Sequence, residues 1–238
     1  MKIKPISQHG MQLTRFGLMN CYLVRESDGF TLIDTTIGGS GDQILAAARS
    51  LDAPIRRILL THAHVDHIGA LDELATKLPG VQVAIGDRES LMLPKPPKQN
   101  LNPLPGEPPC KLKGGYPGAN TPATHLISAQ ELFGSLRCLA TEGHTPGHMS
   151  FLDERDGTLY TGDAMVTVGG KPHVPGYGPW FFPLPKFATW DRPTSVAVIQ
   201  RLISDPPLIA IARLAPGHGP VLEGGRNLLE AALLEVKA

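Results

Sequence analysis

One short stretch, residues 61–69 with the sequence THAHVDHIG, constrains the fold of this chain more than any other. It places three of the nine histidines and one carboxylate close together, in the order His62, His64, Asp66 and His67. The mostly apolar residues 55–60 predict a buried strand directly before it. Apolar positions at helical spacing follow as far as Pro79, which predicts a helix that opens with Asp66 and His67. The stretch therefore joins a strand to a helix, as in an α/β fold.

Imidazoles and carboxylates spaced this closely are typical of a metal site, because both bind borderline and harder divalent ions. The alternative is a polar turn whose histidines are merely hydrogen-bonded. In that alternative, three neighbouring imidazoles would repel one another on protonation. A cation in place of those protons removes the repulsion, so the pattern favours a metal site.

Three further motifs follow in the chain: GHTPGH at residues 143–148, TGD at residues 161–163 and PGHG at residues 216–219. Together with residues 62–67, they resemble the metallo-β-lactamase-fold hydrolases, and the glyoxalase II-like branch in particular. The resemblance spans residues 61–219, and the four motifs are highly specific only as a set. It implies an α/β chain folded as a four-layer αββα sandwich, with the site at one edge between the two sheets.

The resemblance also implies a set of seven metal ligands for two divalent ions. The resemblance assigns His62, His64 and His144 to the first ion. It assigns Asp66, His67 and His218 to the second ion, and Asp163 to a bridging position between the two ions. Zinc is the expected metal, with manganese, iron, cobalt and nickel left open. The remaining motif histidine, His148, is assigned to structure rather than to metal.

Two carboxylates, Asp66 and Asp163, are the expected catalytic residues of a binuclear hydrolase. In such an enzyme a metal-bound hydroxide attacks the carbonyl of a small ester, lactone or thioester. A mononuclear iron persulfide dioxygenase, a β-lactam hydrolase and a non-catalytic metal-binding protein remain alternatives. A flavodiiron protein is not favoured because it would carry a glutamate at His64. A class B1 β-lactamase is not favoured because it would carry a cysteine at Asp163.

Outside the motifs, the apolar pattern predicts an alternation of strands and helices. A carboxylate that ends the second predicted strand, Asp34, is either a turn former or a hydrogen-bond acceptor that fixes a ligand imidazole. The resemblance favours the second role. Strands are predicted at residues 11–24, 29–34, 55–60, 81–85 and 208–214, and helices at 41–51, 66–78, 194–204 and 226–236. A β-meander is predicted over residues 131–139, 149–152 and 158–161, with turns at Gly134-Ser135 and Asp156-Gly157.

Two segments break this alternation. Residues 92–124 contain nine prolines and four glycines, which predicts an irregular flap over the site. His125, at the end of the flap, is expected to be structural. Residues 166–190 form a loop rich in aromatic residues that starts three residues after Asp163. We expect some of its rings to line the substrate pocket, the alternative being a hydrophobic cluster beneath a loop; the candidates are Tyr177, Trp180, Phe181 and Phe182.

The amino-acid composition limits the kinds of partner that the chain is expected to bind. The chain has 22 basic and 22 acidic residues, so it lacks the positive surplus that favours nucleic acid. It has no apolar run of signal-peptide or membrane-spanning length, which predicts a cytoplasmic protein without a membrane partner. Its three cysteines are far apart, which argues against disulfides. We expect one domain over residues 1–238 that acts on a small molecule, with the oligomeric state left open between a monomer and a homodimer.

Overall fold

The computed structural model describes residues 1–96, 98, 100–204 and 211–237. These residues form two β-sheets that pack face to face, with helices on the outer side of each sheet. The first sheet contains, in spatial order, β1 (Lys2–Pro5), β2 (Gly10–Arg15), β3 (Met19–Glu26), β4 (Gly29–Ile33), β5 (Ile55–Leu60), β6 (Gln82–Gly86) and β7 (His125–Ile127). The second contains β8 (Leu132–Phe133), β9 (Leu136–Ala140), β10 (Met149–Asp153), β11 (Thr158–Gly162), β12 (Arg213–Pro216) and β13 (Leu222–Glu223).

Strand direction changes within each sheet. The first sheet is antiparallel from β1 to β4 and parallel from β4 to β7. In the second sheet β11 and β12 are parallel, whereas the other neighbouring strands are antiparallel. Parallel strands end at the same edge of a sheet, so the loops that follow β4, β5, β11 and β12 are brought to common edges.

The helices complete the layers. They are α1 (Gly41–Ser50), α2 (Val65–Ile68), α3 (Leu71–Lys77), α4 (Asp87–Ser90), α5 (Leu184–Ala188), α6 (Arg192–Ser204) and α7 (Arg226–Lys237). Apolar residues of α1 and α3 pack on the first sheet, and apolar residues of α6 and α7 pack on the second. Between the sheets lies a separate core in which the rings of Tyr22 and Tyr160 meet edge to face at 5.1 Å. This αββα arrangement confirms the predicted fold class.

Three predicted elements need correction. The strand predicted at residues 11–24 is two strands, because Phe16 and Gly17 adopt positive φ and turn the chain between them. The single helix predicted at residues 66–78 is two short helices, α2 and α3. The helix α4 was not predicted. Part of the strand predicted at residues 208–214 lies outside the described residues, and β12 begins at Arg213.

The proline-rich segment at residues 92–124 contains no helix or strand among its described residues, as predicted. The β-type pairing of its described residues is limited to isolated β-bridges, for example between Pro94 and Ala119. None of the helices described here has the length and apolar character needed to cross a membrane.

Candidate metal centre

The seven predicted ligands meet at one edge of the sandwich. His62 and His64 follow β5 of the first sheet, whereas Asp163 follows β11 and His218 follows β12 of the second. Because those strand ends share an edge, loops from both sheets converge there. All seven side chains except that of Asp66 are buried.

The first cluster consists of three imidazoles, from His62, His64 and His144. The distance between His62 Nε2 and His64 Nδ1 is 3.1 Å, and that between His64 Nδ1 and His144 Nε2 is 3.0 Å. Three ring nitrogens from two distant parts of the chain therefore point at a single small volume.

The hydrogen bonds on the far side of each ring fix where its proton lies. His64 Nε2 must donate to the carbonyl oxygen of Lys113, because a carbonyl only accepts. The hydroxyl of Thr61 already donates to a carboxylate, so His62 Nδ1 must donate to Thr61 Oγ1. By the same reasoning, His144 Nδ1 donates to Thr189 Oγ1, whose own hydrogen goes to a carbonyl.

All three convergent nitrogens therefore carry lone pairs and no proton. Lone pairs 3.0–3.1 Å apart repel one another, and only a cation between them satisfies them together. Histidine metal ligands are usually neutral imidazoles that bind the metal through one ring nitrogen and donate a hydrogen bond to an oxygen from the other. The first cluster thus fits a divalent metal ion.

The second cluster combines Asp66, His67 and His218. His218 Nε2 lies 3.1 Å from Asp66 Oδ2, while His218 Nδ1 donates to the carbonyl oxygen of Leu18 at 2.9 Å. His67 Nε2 is buried and has no hydrogen-bond partner among the described residues. A buried polar atom without a partner is costly, so its environment also fits a bound cation.

Asp163 lies between the two clusters. Its carboxylate oxygens are 3.5 Å from His144 Nε2 in the first cluster, and 3.5 Å from His67 Nε2 and 3.4 Å from His218 Nε2 in the second. Its Oδ1 is buried and lacks a hydrogen-bond partner in the part of the chain that the structure describes. One side chain is thus within reach of both donor sets.

The glycine of the last motif makes room for this approach. A Cβ added at Gly217 would lie 2.4 Å from Asp163 Oδ1 and 2.7 Å from His67 Cε1. Such contacts are shorter than real Cβ contacts allow, so any larger residue would displace the donors.

The two clusters also differ in charge. Burial lowers the pKa of each histidine in the first cluster, which keeps those rings neutral. Burial would lower the pKa of His218 too, but Asp163 and Asp66 outweigh it and raise that pKa to about 10. In turn, although burial opposes it, His218 and His67 hold the pKa of Asp163 well below its usual range. Without a metal ion, protons therefore supply the positive charge at the second cluster.

Asp34 takes the position expected of an acceptor that orients a ligand. Its Oδ2 accepts from His67 Nδ1 at 2.7 Å and from Thr61 Oγ1 at 2.8 Å. Its Oδ1 accepts from the Thr61 backbone N–H at 2.8 Å. With Nδ1 donating to Asp34, the other nitrogen of His67 faces the second cluster.

A further buried carboxylate, Glu89 on α4, was missed by the sequence analysis. It accepts from the backbone N–H of Ala63 at 2.9 Å, from Thr145 Oγ1 at 2.8 Å and from the backbone N–H of Gly147 at 3.0 Å. Burial raises the pKa of Glu89 to about 7 despite these bonds. Glu89 thus links the loop of His62 and His64 to the loop that carries His144. A lone glutamate in an irregular region gives no sequence signal for this role.

His148 and His125 lie outside the two clusters, as predicted. The Nε2 of His148 accepts from the backbone N–H of Asp163 at 3.1 Å, and its Nδ1 bonds Thr141 Oγ1 at 2.9 Å. Both nitrogens of His148 are therefore used in positioning the loops. His125 is hydrogen-bonded to Glu131.

The end of the proline-rich segment covers the first cluster. Besides the bond from His64 to Lys113, the ring of Tyr116 lies 4.6 Å from that of His64. A Cβ added at Gly114 would lie 2.4 Å from His64 Nε2, so only glycine fits there. The side chain of Lys113 donates to the carbonyl oxygen of Trp190, which ties this segment to the end of the aromatic loop.

The aromatic loop contributes to the site through residues other than those predicted. A cavity of about 420 Å³ opens above the donors, and its wall on this side is formed by the segment at residues 184–188. Of the four predicted rings, only that of Phe182 contacts a donor, at 5.3 Å from His218. None of the four, which are Tyr177, Trp180, Phe181 and Phe182, lines the cavity. The wall is made instead by α5, which begins directly after Pro183.

Comparisons with known proteins agree with this geometry. A family model described as the Metallo-beta-lactamase superfamily matches residues 14–218. The chain is 40% identical over 230 residues to the uncharacterized protein YobT of Bacillus subtilis, covering 95% of each chain. It is 26% identical over 165 residues to the hydroxyacylglutathione hydrolase GloC of Haemophilus influenzae, covering 66% of this chain and 71% of that one. The structure is similar to TTHA1623 in a di-iron-bound form, with a TM-score of 0.58 and 26% identity over 88% of this chain and 92% of that chain. The range matched by the family model includes all seven predicted ligands.

Proposed function

Because the chain belongs to the metallo-beta-lactamase superfamily, a superfamily of metallo-hydrolases, we propose that it is a binuclear metal-dependent hydrolase. Its substrates are small molecules with an ester, lactone or thioester bond. His62, His64 and His144 would hold one ion, and Asp66, His67 and His218 would hold the second. Asp163 would contribute to both sites.

One observation carries this proposal: three buried imidazole lone pairs converge beside a carboxylate that also reaches a second donor set. A structural site needs only one closed set of ligands, whereas catalytic sites keep an open position. Here the donors form the floor of a cavity, so a substrate carbonyl can reach them.

Two divalent ions at such a site supply Lewis-acid polarisation of a carbonyl and a coordinated water whose pKa is lowered to about 7. The chain's own residues provide the positions. Lys113, Thr61 and Thr189 accept hydrogen bonds from the first three imidazoles and so keep the opposite nitrogens free of protons. Asp66, the only one of the seven proposed ligands that is not buried, lines the cavity.

Two relatives support the finer parts of the proposal. The name of GloC, hydroxyacylglutathione hydrolase, supports an acyl substrate for a chain that shares its family. The di-iron-bound form of TTHA1623 supports the proposal of two ions per chain. It also supports iron, in addition to zinc, as a candidate metal. A single-iron persulfide dioxygenase is the rival function.

Elemental analysis and a substrate panel test the proposal together. Purified protein should contain two transition-metal ions per chain and should hydrolyse members of a panel of p-nitrophenyl esters, lactones and thioesters. The panel includes a chromogenic β-lactam and a persulfide with oxygen uptake as the readout. Asp163→Asn should lose most of the hydrolysis, whereas Asp28→Asn, which changes an exposed aspartate paired with Arg57, should retain it. One iron per chain with persulfide-dependent oxygen uptake would replace the hydrolase by the dioxygenase.

A further inference from the structure

The cavity above the donors has apolar walls. Its floor consists of ligand side chains, including those of Asp66, His144 and Asp163. Its walls are formed by Val65, Leu184, Pro185, Phe187 and the backbone of Gly114 and Gly115. With its volume of about 420 Å³, it lies within the range of cavities that bind small molecules.

No lysine or arginine lines this cavity in the part of the chain that the structure describes. Lys113, next to Gly114, directs its Nζ to the carbonyl oxygen of Trp190 at 2.9 Å. Lys186, between Pro185 and Phe187 on α5, is exposed and is not among the residues that line the cavity. The guanidinium of Arg192 lies over the ring of Tyr177, 5.9 Å from its centroid. A charged group on a substrate would therefore find no counter-charge on the walls, and its desolvation would be unfavourable.

The apolar wall is also unusually exposed. Leu184 and Phe187 are 66% and 72% exposed, although they are large apolar residues next to a buried polar cluster. They lie three residues apart on α5, so they face the same side of the helix. An alkyl chain laid along that side would remove apolar surface of both partners from water.

We propose that this cavity binds the alkyl chain of an uncharged substrate, and that Leu184 and Phe187 determine chain-length specificity. The choice of substrate class rests on the proposed hydrolase function for the bond that is cleaved. The binding of the chain itself depends only on the walls of the cavity, so it can be measured without catalysis.

The first test measures catalysis. Two ester series are compared, one lengthened in the acyl part from acetate to octanoate and the other lengthened in the alcohol part. The specificity constant in at least one series should rise by up to about fourfold per methylene until the cavity is filled. Phe187→Ala should lower the constant for the longest good substrate about tenfold more than it lowers the constant for the shortest.

The second test measures binding to the metal-free protein. Calorimetry with n-alkanols from butanol to octanol should show an affinity that increases with chain length. Leu184→Ala should flatten this dependence. Leu234→Ala, which truncates a leucine of similar exposure on α7, should not change it.

The outcomes separate the two proposals. If esters are hydrolysed but both ester series and the alkanol series are flat, the apolar-chain inference is wrong and the hydrolase proposal stands. If alkanols bind with chain-length dependence but no ester, lactone or thioester is hydrolysed, the chain-binding wall stands and the hydrolase proposal is wrong. Equal effects of Leu184→Ala and Leu234→Ala would also overturn the inference.

Discussion

The substitution Asp34→Asn tests how the second cluster is organised. The two carboxylate oxygens of Asp34 accept three hydrogen bonds, two from Thr61 and one from His67. An asparagine side chain has one acceptor oxygen and one NH₂ group, so one of these positions must receive a donor instead. The backbone remains suitable, because Asp34 has a φ of 57° and asparagine tolerates such values better than most residues.

The expected result follows from the two orientations of the new amide. If NH₂ faces His67, the proton of that ring moves to Nε2 and blocks the nitrogen that faces the second cluster. If the NH₂ group faces the Thr61 backbone N–H instead, two buried hydrogen-bond donors face each other without an acceptor between them. Removing the partner that orients a ligand histidine costs about 10- to 100-fold in metal affinity, or about 1.4 to 2.7 kcal/mol.

Competition against a chromophoric chelator measures the two binding constants per chain. Asp34→Asn should weaken the site of His67 by that factor and the three-histidine site by less, because Asp34 acts on that site only through Thr61 and His62. The control is Asp28→Asn, which makes the same chemical change at an exposed position. Unchanged binding by Asp34→Asn, or the same loss in the control, would refute the role given to Asp34.

Three further predictions address other parts of the structure. Because the pKa of His218 is raised to about 10, the metal-free ring is protonated at neutral pH. Metal binding should therefore release at least one proton, and the affinity for the metal should rise about tenfold per pH unit between 7 and 10. Calorimetry in buffers of different ionisation enthalpy measures this proton release. Glu89→Ala leaves three buried donors without an acceptor and should lower the free energy of unfolding in urea by about 2 to 4 kcal/mol, whereas Glu223→Ala, at an exposed glutamate, should change it by less than about 0.5 kcal/mol. Burial raises the pKa of Cys138 to about 12 and raises that of Cys21 as well, so neither thiol should react with a disulfide reagent at pH 8 until the protein is unfolded.

The ligand residues could be identified from the sequence because they lie in short motifs of fixed spacing. The strand at residues 55–60 was also predictable, since four of its six residues are apolar and it occupies the interior of a parallel sheet. The break at Phe16 was not, because an aromatic residue in a left-handed turn runs against its backbone preference.

The remaining features depend on contacts between distant segments. Glu89 joins two loops that are more than fifty residues apart in sequence, and its own neighbourhood has no regular pattern. The wall of the cavity also depends on tertiary structure. Aromatic composition pointed to Trp180, which is 89% exposed, whereas the ring that lines the cavity is that of Phe187 on α5.

The central claim is that two ions, bound by two donor sets that share Asp163, are needed for hydrolysis. The most direct measurement adds zinc stepwise to the metal-free protein while ester hydrolysis and bound metal are followed in the same samples. Two equivalents should bind, and most of the activity should appear only with the second equivalent. Full activity at one equivalent, with no second ion bound, would contradict the claim.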